Sequence, residues 1–242
     1  MRLTLKAPFL PFLFMLLILS SGCIPVMQNN FADLEMRARK LKNISVLAPK
    51  IKVYELSAGD VSELRDDWSA VGTGNTEKSV IAELKRKGVS ASILRPKSAI
   101  KEEYEDLMLL YDAVMASVYR HTVVRQGNPE VFPEKIRDFD YAVGSLDSIL
   151  SGNKADGLLI VSGSDEISTS GRKALRVVQA INPFAQAQMS GVTFIEAALV
   201  DRKGNILWWE SFANSGGYDL RDPNSAGKFV TELLDRFPGG GK

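Results

Sequence analysis

His121 is the only histidine in a chain of 242 residues, and Cys23 is the only cysteine. One histidine cannot build a histidine-rich metal site. As a general base it would need a nucleophile and an orienting acid beside it. The G-x-S-x-G turn that presents a serine nucleophile is missing, and Gly163-Ser164-Asp165 falls short of it. A serine or acid brought close in space is one reading of His121; a helix-terminal histidine bonding a backbone carbonyl is the other. Gly72-Thr73-Gly74 matches half of a dinucleotide-binding fingerprint, but Glu77 stands where the third glycine belongs. An N-cap by Asn75 or Thr76 accounts for the same stretch. Ser164, Asp165 and Glu166 follow the apolar run Gly157-Leu158-Leu159-Ile160-Val161. Ligands of open α/β sheets bind beyond such strand ends, so these three residues form a candidate ligand or hydrolytic loop, set against a plain polar connection. No catalytic residue, cofactor or metal site is assigned from the sequence.

Cys23 has a different chemistry. Arg2 and Lys6 begin a short basic segment, Phe9 to Leu19 is apolar apart from Pro11, and Ser20-Ser21-Gly22 precede the cysteine. These are the three parts of an export signal, and the apolar run is too short to serve as a membrane span of about 20 residues. Cys23 is therefore expected to be acylated as the first residue of the mature protein. Ser20 stands where the lipoprotein pattern favours leucine, with Leu19 one place earlier. A lone free thiol in an oxidising compartment is the competing reading. Ile24 follows the cysteine, where an aspartate would mark inner-membrane retention. The expectation is a lipid-anchored protein of the outer membrane, facing the periplasm.

The whole chain carries 30 basic and 29 acidic residues, and the first 22 residues hold only Arg2 and Lys6 among them. The mature chain is thus close to neutral, which argues against nucleic acid as a partner. Residues 1–22 read as the signal, 23–42 as a lipidated tether (a solvated spacer, with a short helix over Phe31–Leu41 as the alternative), 43–238 as one α/β domain, and 239–242 as a disordered tail.

Within the domain, Ile44–Ala48 reads as a strand that Ile51–Tyr54 continues past Pro49, which marks a bulge or an edge. Asp60, Glu63, Asp66 and Asp67 read as an acidic loop, Asn75–Gly88 as a helix, and Val89–Leu94 as a strand. Ile100, Tyr104, Leu107, Met108, Tyr111, Val114, Met115 and Val118 recur at helical spacing, the pattern of a core-facing stripe. A further helix is predicted from Phe139 to Leu150, with Val143, Leu146 and Ile149 inward. Gly157–Val161 reads as a buried central strand.

Val192–Val200 and Ile206–Phe212 form an antiparallel hairpin around Asp201-Arg202-Lys203-Gly204-Asn205. A final helix starts at Pro223. Trp208 and Trp209 are adjacent in a strand and face opposite ways. One belongs in the core; the other is exposed or covered by a neighbouring subunit, a candidate interface anchor. Arg172 to Ala180 is predicted as a short helix whose basic side, with Arg172 and Arg176, meets a membrane or a partner, or is a plain surface. The fold class is α/β: a single α/β sandwich with a mixed sheet, a C-terminal antiparallel hairpin and a final helix.

Two segments carry a family likeness. Ala155-Asp156-Gly157-Leu158-Leu159-Ile160-Val161 resembles the alanine-aspartate-apolar strand of bacterial envelope lipoproteins related to the curli secretion channel lipoprotein and to the amino-terminal domain of the Tol translocation protein. Ala198-Leu199-Val200-Asp201 through Gly204-Asn205-Ile206-Leu207-Trp208 resembles the hairpin of that group. The resemblance covers roughly residues 43–236 and implies a shared fold. It also implies a non-catalytic role in envelope assembly or transport, through self-association or a protein partner. The paired membrane-inserting hairpins of the curli channel have no counterpart here, which argues against pore formation. A periplasmic small-ligand binder or hydrolase is the alternative.

Overall fold

The computed structural model describes residues 27–28, 32–124, 131–132, 134–135, 138–180 and 191–239. The signal, Cys23 and residues 240–242 lie outside the described residues. The elements run β1 (Met27–Gln28), α1 (Ala32–Arg39), β2 (Asn43–Leu47), β3 (Lys50–Leu56), β4 (Ser62–Leu64), α2 (Asp66–Arg86), β5 (Ser90–Leu94), α3 (Lys101–Thr122), β6 (Gly157–Ser168), α4 (Ser170–Ala180), β7 (Val192–Asp201), β8 (Ile206–Ser215) and α5 (Pro223–Leu233). The strands make one eight-stranded mixed sheet in the order β1-β8-β7-β6-β2-β5, with β3 on β6 and β4 on β3. This is the α/β sandwich expected from the sequence.

β2 and β3 lie in line along β6. Val46 is opposite Leu159, but Lys50 is opposite Ser162, so one extra residue is inserted at Ala48-Pro49. That is a bulge, the first of the two readings of Pro49: proline cannot donate to the ladder, and the strand changes neighbours there, from β5 to β4. The Ala155-Asp156 pair also has a physical task. Asp156 Oδ2 accepts the backbone N–H groups of Lys42 and Asn43 at 2.9 Å each, locking the entry of β2 to the entry of β6.

Period-two alternation sends successive side chains of the central strands to opposite layers. Val46, Val53, Leu159, Val161, Ile195, Leu199 and Trp208 pack under α2 and α5, with Leu84, Phe229, Val230 and Leu233. Leu158, Ile160, Ala198, Val200 and Trp209 pack under α3 and residues 139–155, with Tyr111, Met115, Leu146 and Leu150. Each large apolar side chain so buried contributes about 1.5–3 kcal/mol.

Several expectations are corrected. Residues 139–150 form no helix: Ala142 bridges Asn205, Val143 N–H donates to the Gly204 carbonyl and Leu146 N–H to that of Arg202. Val143, Leu146 and Ile149 are nevertheless buried as predicted. The helix placed at Asn75 begins at Asp66, so Gly72-Thr73-Gly74 lies inside it and is neither phosphate loop nor cap. Gly72 is there because a side chain would press on Val53, its Cβ falling 3.1 Å from Val53 Cγ2. Ser62–Leu64 is a strand and Asp66 and Asp67 form the first turn of α2, where acids suit the helix dipole.

The expected solvated tether holds α1. Ala38 is fully buried, Leu34 packs against both core layers, and Arg37 bonds Asp201 at 2.7 Å. The hairpin and final helix stand where predicted. Asp222 caps α5 by accepting the Ser225 N–H, and Pro223 opens the helix.

Candidate functional site

The two layers do not cover the sheet equally. Beyond Ile160, the side of β6 that faces α3 turns polar: Ser162, Ser164 and Glu166 continue that row, with Ser162 and Ser164 opposite Glu196 and Phe194 of β7. Here α3 stands off the sheet and leaves a cleft of about 420 Å³. Asp112, Met115, Ala116 and Tyr119 of α3 form its wall, and Phe194 and Glu196 of β7 its floor.

Glu196 is the chemically distinctive group. Burial pushes its carboxyl above the ordinary range, opposed by the nearby Trp209 indole and by Ser162, while the charge of Asp112 adds to the rise. The Ser162 hydroxyl donates at 3.3 Å. The Trp209 N–H lies near the carboxylate without making a hydrogen bond of normal geometry. The Tyr111 hydroxyl is fully buried and lacks a hydrogen-bond partner among the described residues; burial, then the charge of Glu196, hold its pKa well above normal. The cleft therefore combines two carboxylates with an aromatic and thioether lining. That combination stabilises positive charge on an otherwise apolar ligand.

The sequence-predicted ligand loop is not a loop. Ser164, Asp165 and Glu166 belong to β6, which runs on to Ser168. Their alternation splits them between the faces. Ser164 and Glu166 lie on the cleft face of the sheet. Asp165 points into the opposite layer and is fully buried. It accepts the Thr193 hydroxyl at 2.7 Å and the Leu220 N–H at 2.8 Å. Burial raises its pKa, against the pull of those two bonds. Asn75 Nδ2 in turn donates to the carbonyls of Leu220 and Arg221, at 3.0 and 2.9 Å. Asp165 is thus a structural tie between β6, β7, α2 and the chain entering α5.

The other candidates are also absorbed into the fold. Trp208 and Trp209 are both fully buried, one in each layer, so neither is an exposed interface anchor. The sheet is covered on both sides there, a circumstance that alternation along one strand does not reveal. Arg172 is buried rather than displayed: it pairs with Asp60 and donates to the Ser57 carbonyl at 3.0 Å. Arg176 is half-buried, while Leu175 and Val177 are turned to the surface of α4.

His121 Nδ1 lies 2.7 Å from the Ser117 carbonyl oxygen, to which it donates. The Ser117 hydroxyl is 3.3 Å from the same nitrogen, which therefore has no lone pair with which to take that proton. The ring stacks on Phe132 at 5.6 Å. This is the helix-terminal histidine of the second reading. Among the described residues no group of three or more histidine, cysteine, aspartate or glutamate side chains is placed to hold a metal ion.

The cleft residues themselves escaped sequence reasoning, because Met115 belongs to a stripe with the period of core. The available signal was Glu196, the only charged residue within the apolar run Val192–Val200. No protein-family model matches this chain, and no curated protein matches it.

Proposed function

We propose that this protein is a lipid-anchored envelope protein, acylated at Cys23, held at the periplasmic face of the outer membrane, with a non-catalytic role in assembly or transport through a protein partner or a second copy. The likeness of residues 155–161 and 198–208 to the curli-secretion and Tol-related lipoproteins belongs to the same proposal. The observation that carries it is the pairing of residues 27–28 with the sheet, four residues on from Cys23. Met27 is opposite Ser211 on β8, and Gln28 opposite Glu210. Only residues 24–26 intervene, and four extended steps reach no more than about 14 Å. An acyl chain at Cys23 would hold the β1–β8 edge against the bilayer surface. A rigidly presented domain of this kind suits capture of a partner in the envelope. A non-catalytic role is supported by Asp165, Arg172 and His121 Nδ1, which are engaged in structural bonds.

The test is incorporation of a clickable palmitate analogue in cells, compared with Cys23→Ser, together with photo-crosslinking from Tyr119 at the cleft rim. Label lost in the variant, with a defined protein or a second copy captured from Tyr119, is the expected result. Equal labelling of both proteins would overturn the anchor. A second reading, periplasmic binding of a small ligand, is favoured by the cleft beside Glu196; the segment after Val161 offers no such loop.

A further inference from the structure

We infer that the cleft between α3 and β7 is a binding site for a small organic cation, a protonated primary amine carried on an apolar body, with Glu196 and Asp112 as its counter-charges. The inference rests on the ligand-binding reading and names the ligand class.

Four observations support it. The volume, about 420 Å³, lies within the range of sites that enclose small ligands, which begins near 300 Å³. Among the described residues the lining is mostly apolar, from Met115, Ala116, Tyr119 and Phe194, with two charged groups, both negative. A site of this composition admits a hydrocarbon body and orients it by one charged end.

Third, Glu196 has unused acceptor capacity. A carboxylate offers about four lone-pair sites, and the hydrogen bond given to this one is the long bond from Ser162. An ammonium group brings three donors and supplies what the fold leaves undone. Fourth, the two carboxylates sit on different elements across the cleft, Asp112 on the helix and Glu196 on the strand, so one cation between them is attracted by both. On the same sheet face, among the described residues, Lys50 and Lys52 of β3 are basic. They are exposed and lie beyond β6, opposite Ser162 and Ser164. Their position directs the positive end of a ligand toward α3 rather than toward β3.

The aromatic rings add selectivity. Tyr119 is 42% exposed at the rim, where a ligand entering from solvent meets it. Anions are disfavoured by both carboxylates. Neutral apolar molecules would gain the lining but leave the Glu196 carboxylate desolvated without a counter-ion, at a cost.

The test uses the full chain in detergent micelles and isothermal titration calorimetry with phenethylamine, its neutral counterpart 2-phenylethanol, and phenylacetate. The expected result is binding of phenethylamine alone. Glu196→Gln should weaken it about tenfold, the scale of one charge-assisted hydrogen bond, and Asp112→Asn about threefold, since that group is exposed. Asp112 is exposed at the cleft and lies outside the core, so Asp112→Asn reports even if Glu196→Gln folds poorly. Equal affinity for the amine and the alcohol, or no effect of Asp112→Asn and Glu196→Gln, would overturn the cation site while leaving small-ligand binding standing. No heat with any of the three compounds would overturn both.

Discussion

Asp165 and Glu196 lie on adjacent strands and are both acids in apolar surroundings, yet their roles diverge because they face opposite layers. Asp165 has two short bonds inside the core. Removing its carboxylate strands the Leu220 N–H and the Thr193 hydroxyl, so Asp165→Ala should lower stability by about 2–3 kcal/mol. Glu166→Ala, one residue on, should stay within about 0.5 kcal/mol; urea unfolding of the two variants checks the contrast.

Glu210 is the most perturbed acid. It is 1% exposed, neither carboxylate oxygen has a hydrogen-bond partner among the described residues, and burial pushes its pKa up to about 8, partly countered by Arg236. The native state therefore holds this proton more tightly than the unfolded chain. The stability it contributes is complete below the ordinary glutamate value of 4.5 and is lost as pH rises through about 8. Asp165 and Glu196 are shifted in the same direction. Thermal melts should fall in midpoint from pH 5 to pH 8. Glu210→Gln should flatten that fall, and a variant that declines as steeply as the wild type would refute the assignment.

At the scale of elements, tertiary contacts overrode local propensity in three places. α2 runs through two glycines because Gly72 must sit close to Val53 and because Asn75 is bonded to the Leu220 and Arg221 carbonyls. Residues 139–150 carry helical spacing of Val143, Leu146 and Ile149 but spend their backbone bonds on the hairpin turn. Gly144 and Gly204 meet there with positive φ values of 79° and 88°. A Cβ on Gly204 would stand 1.8 Å from the Gly144 carbonyl oxygen. Gly204→Ala should cost about 2 kcal/mol or more, from both the backbone and the collision, read as a loss of unfolding midpoint; Lys203→Ala beside it should be near neutral. β6 ran past its expected end because serine and glycine read as loop in isolation, whereas here β3 and β7 flank them and satisfy their backbone groups.

For the whole molecule, the consequential finding is that residues 27–28 and 32–39 belong to the domain. Ala38 lies at 0% exposure among Ile44, Leu199 and Trp208. Placing a charge there should cost about 3 kcal/mol, so Ala38→Asp should lose folded protein in cells while Lys40→Asp does not. Immunoblotting of the soluble and aggregated fractions separates the two. A solvated spacer would tolerate both changes equally.

The sequence by itself determined the α/β class, the break at Pro49, the hairpin about Gly204, the final helix opened by Pro223 and the core stripe of α3. Each of these is a local matter, written in periodicity, proline and glycine within a few turns of chain. The tertiary structure alone decided which face each polar residue occupies. It buried both tryptophans because two layers cover the sheet. It enclosed Arg172 because Ser57 and Asp60 come from a distant loop. It created the cleft because α3 parts from β7 where Asp112 and Glu196, far apart in the chain, face one another. Those outcomes depend on contacts between residues distant in sequence, and no window of the sequence contains both partners.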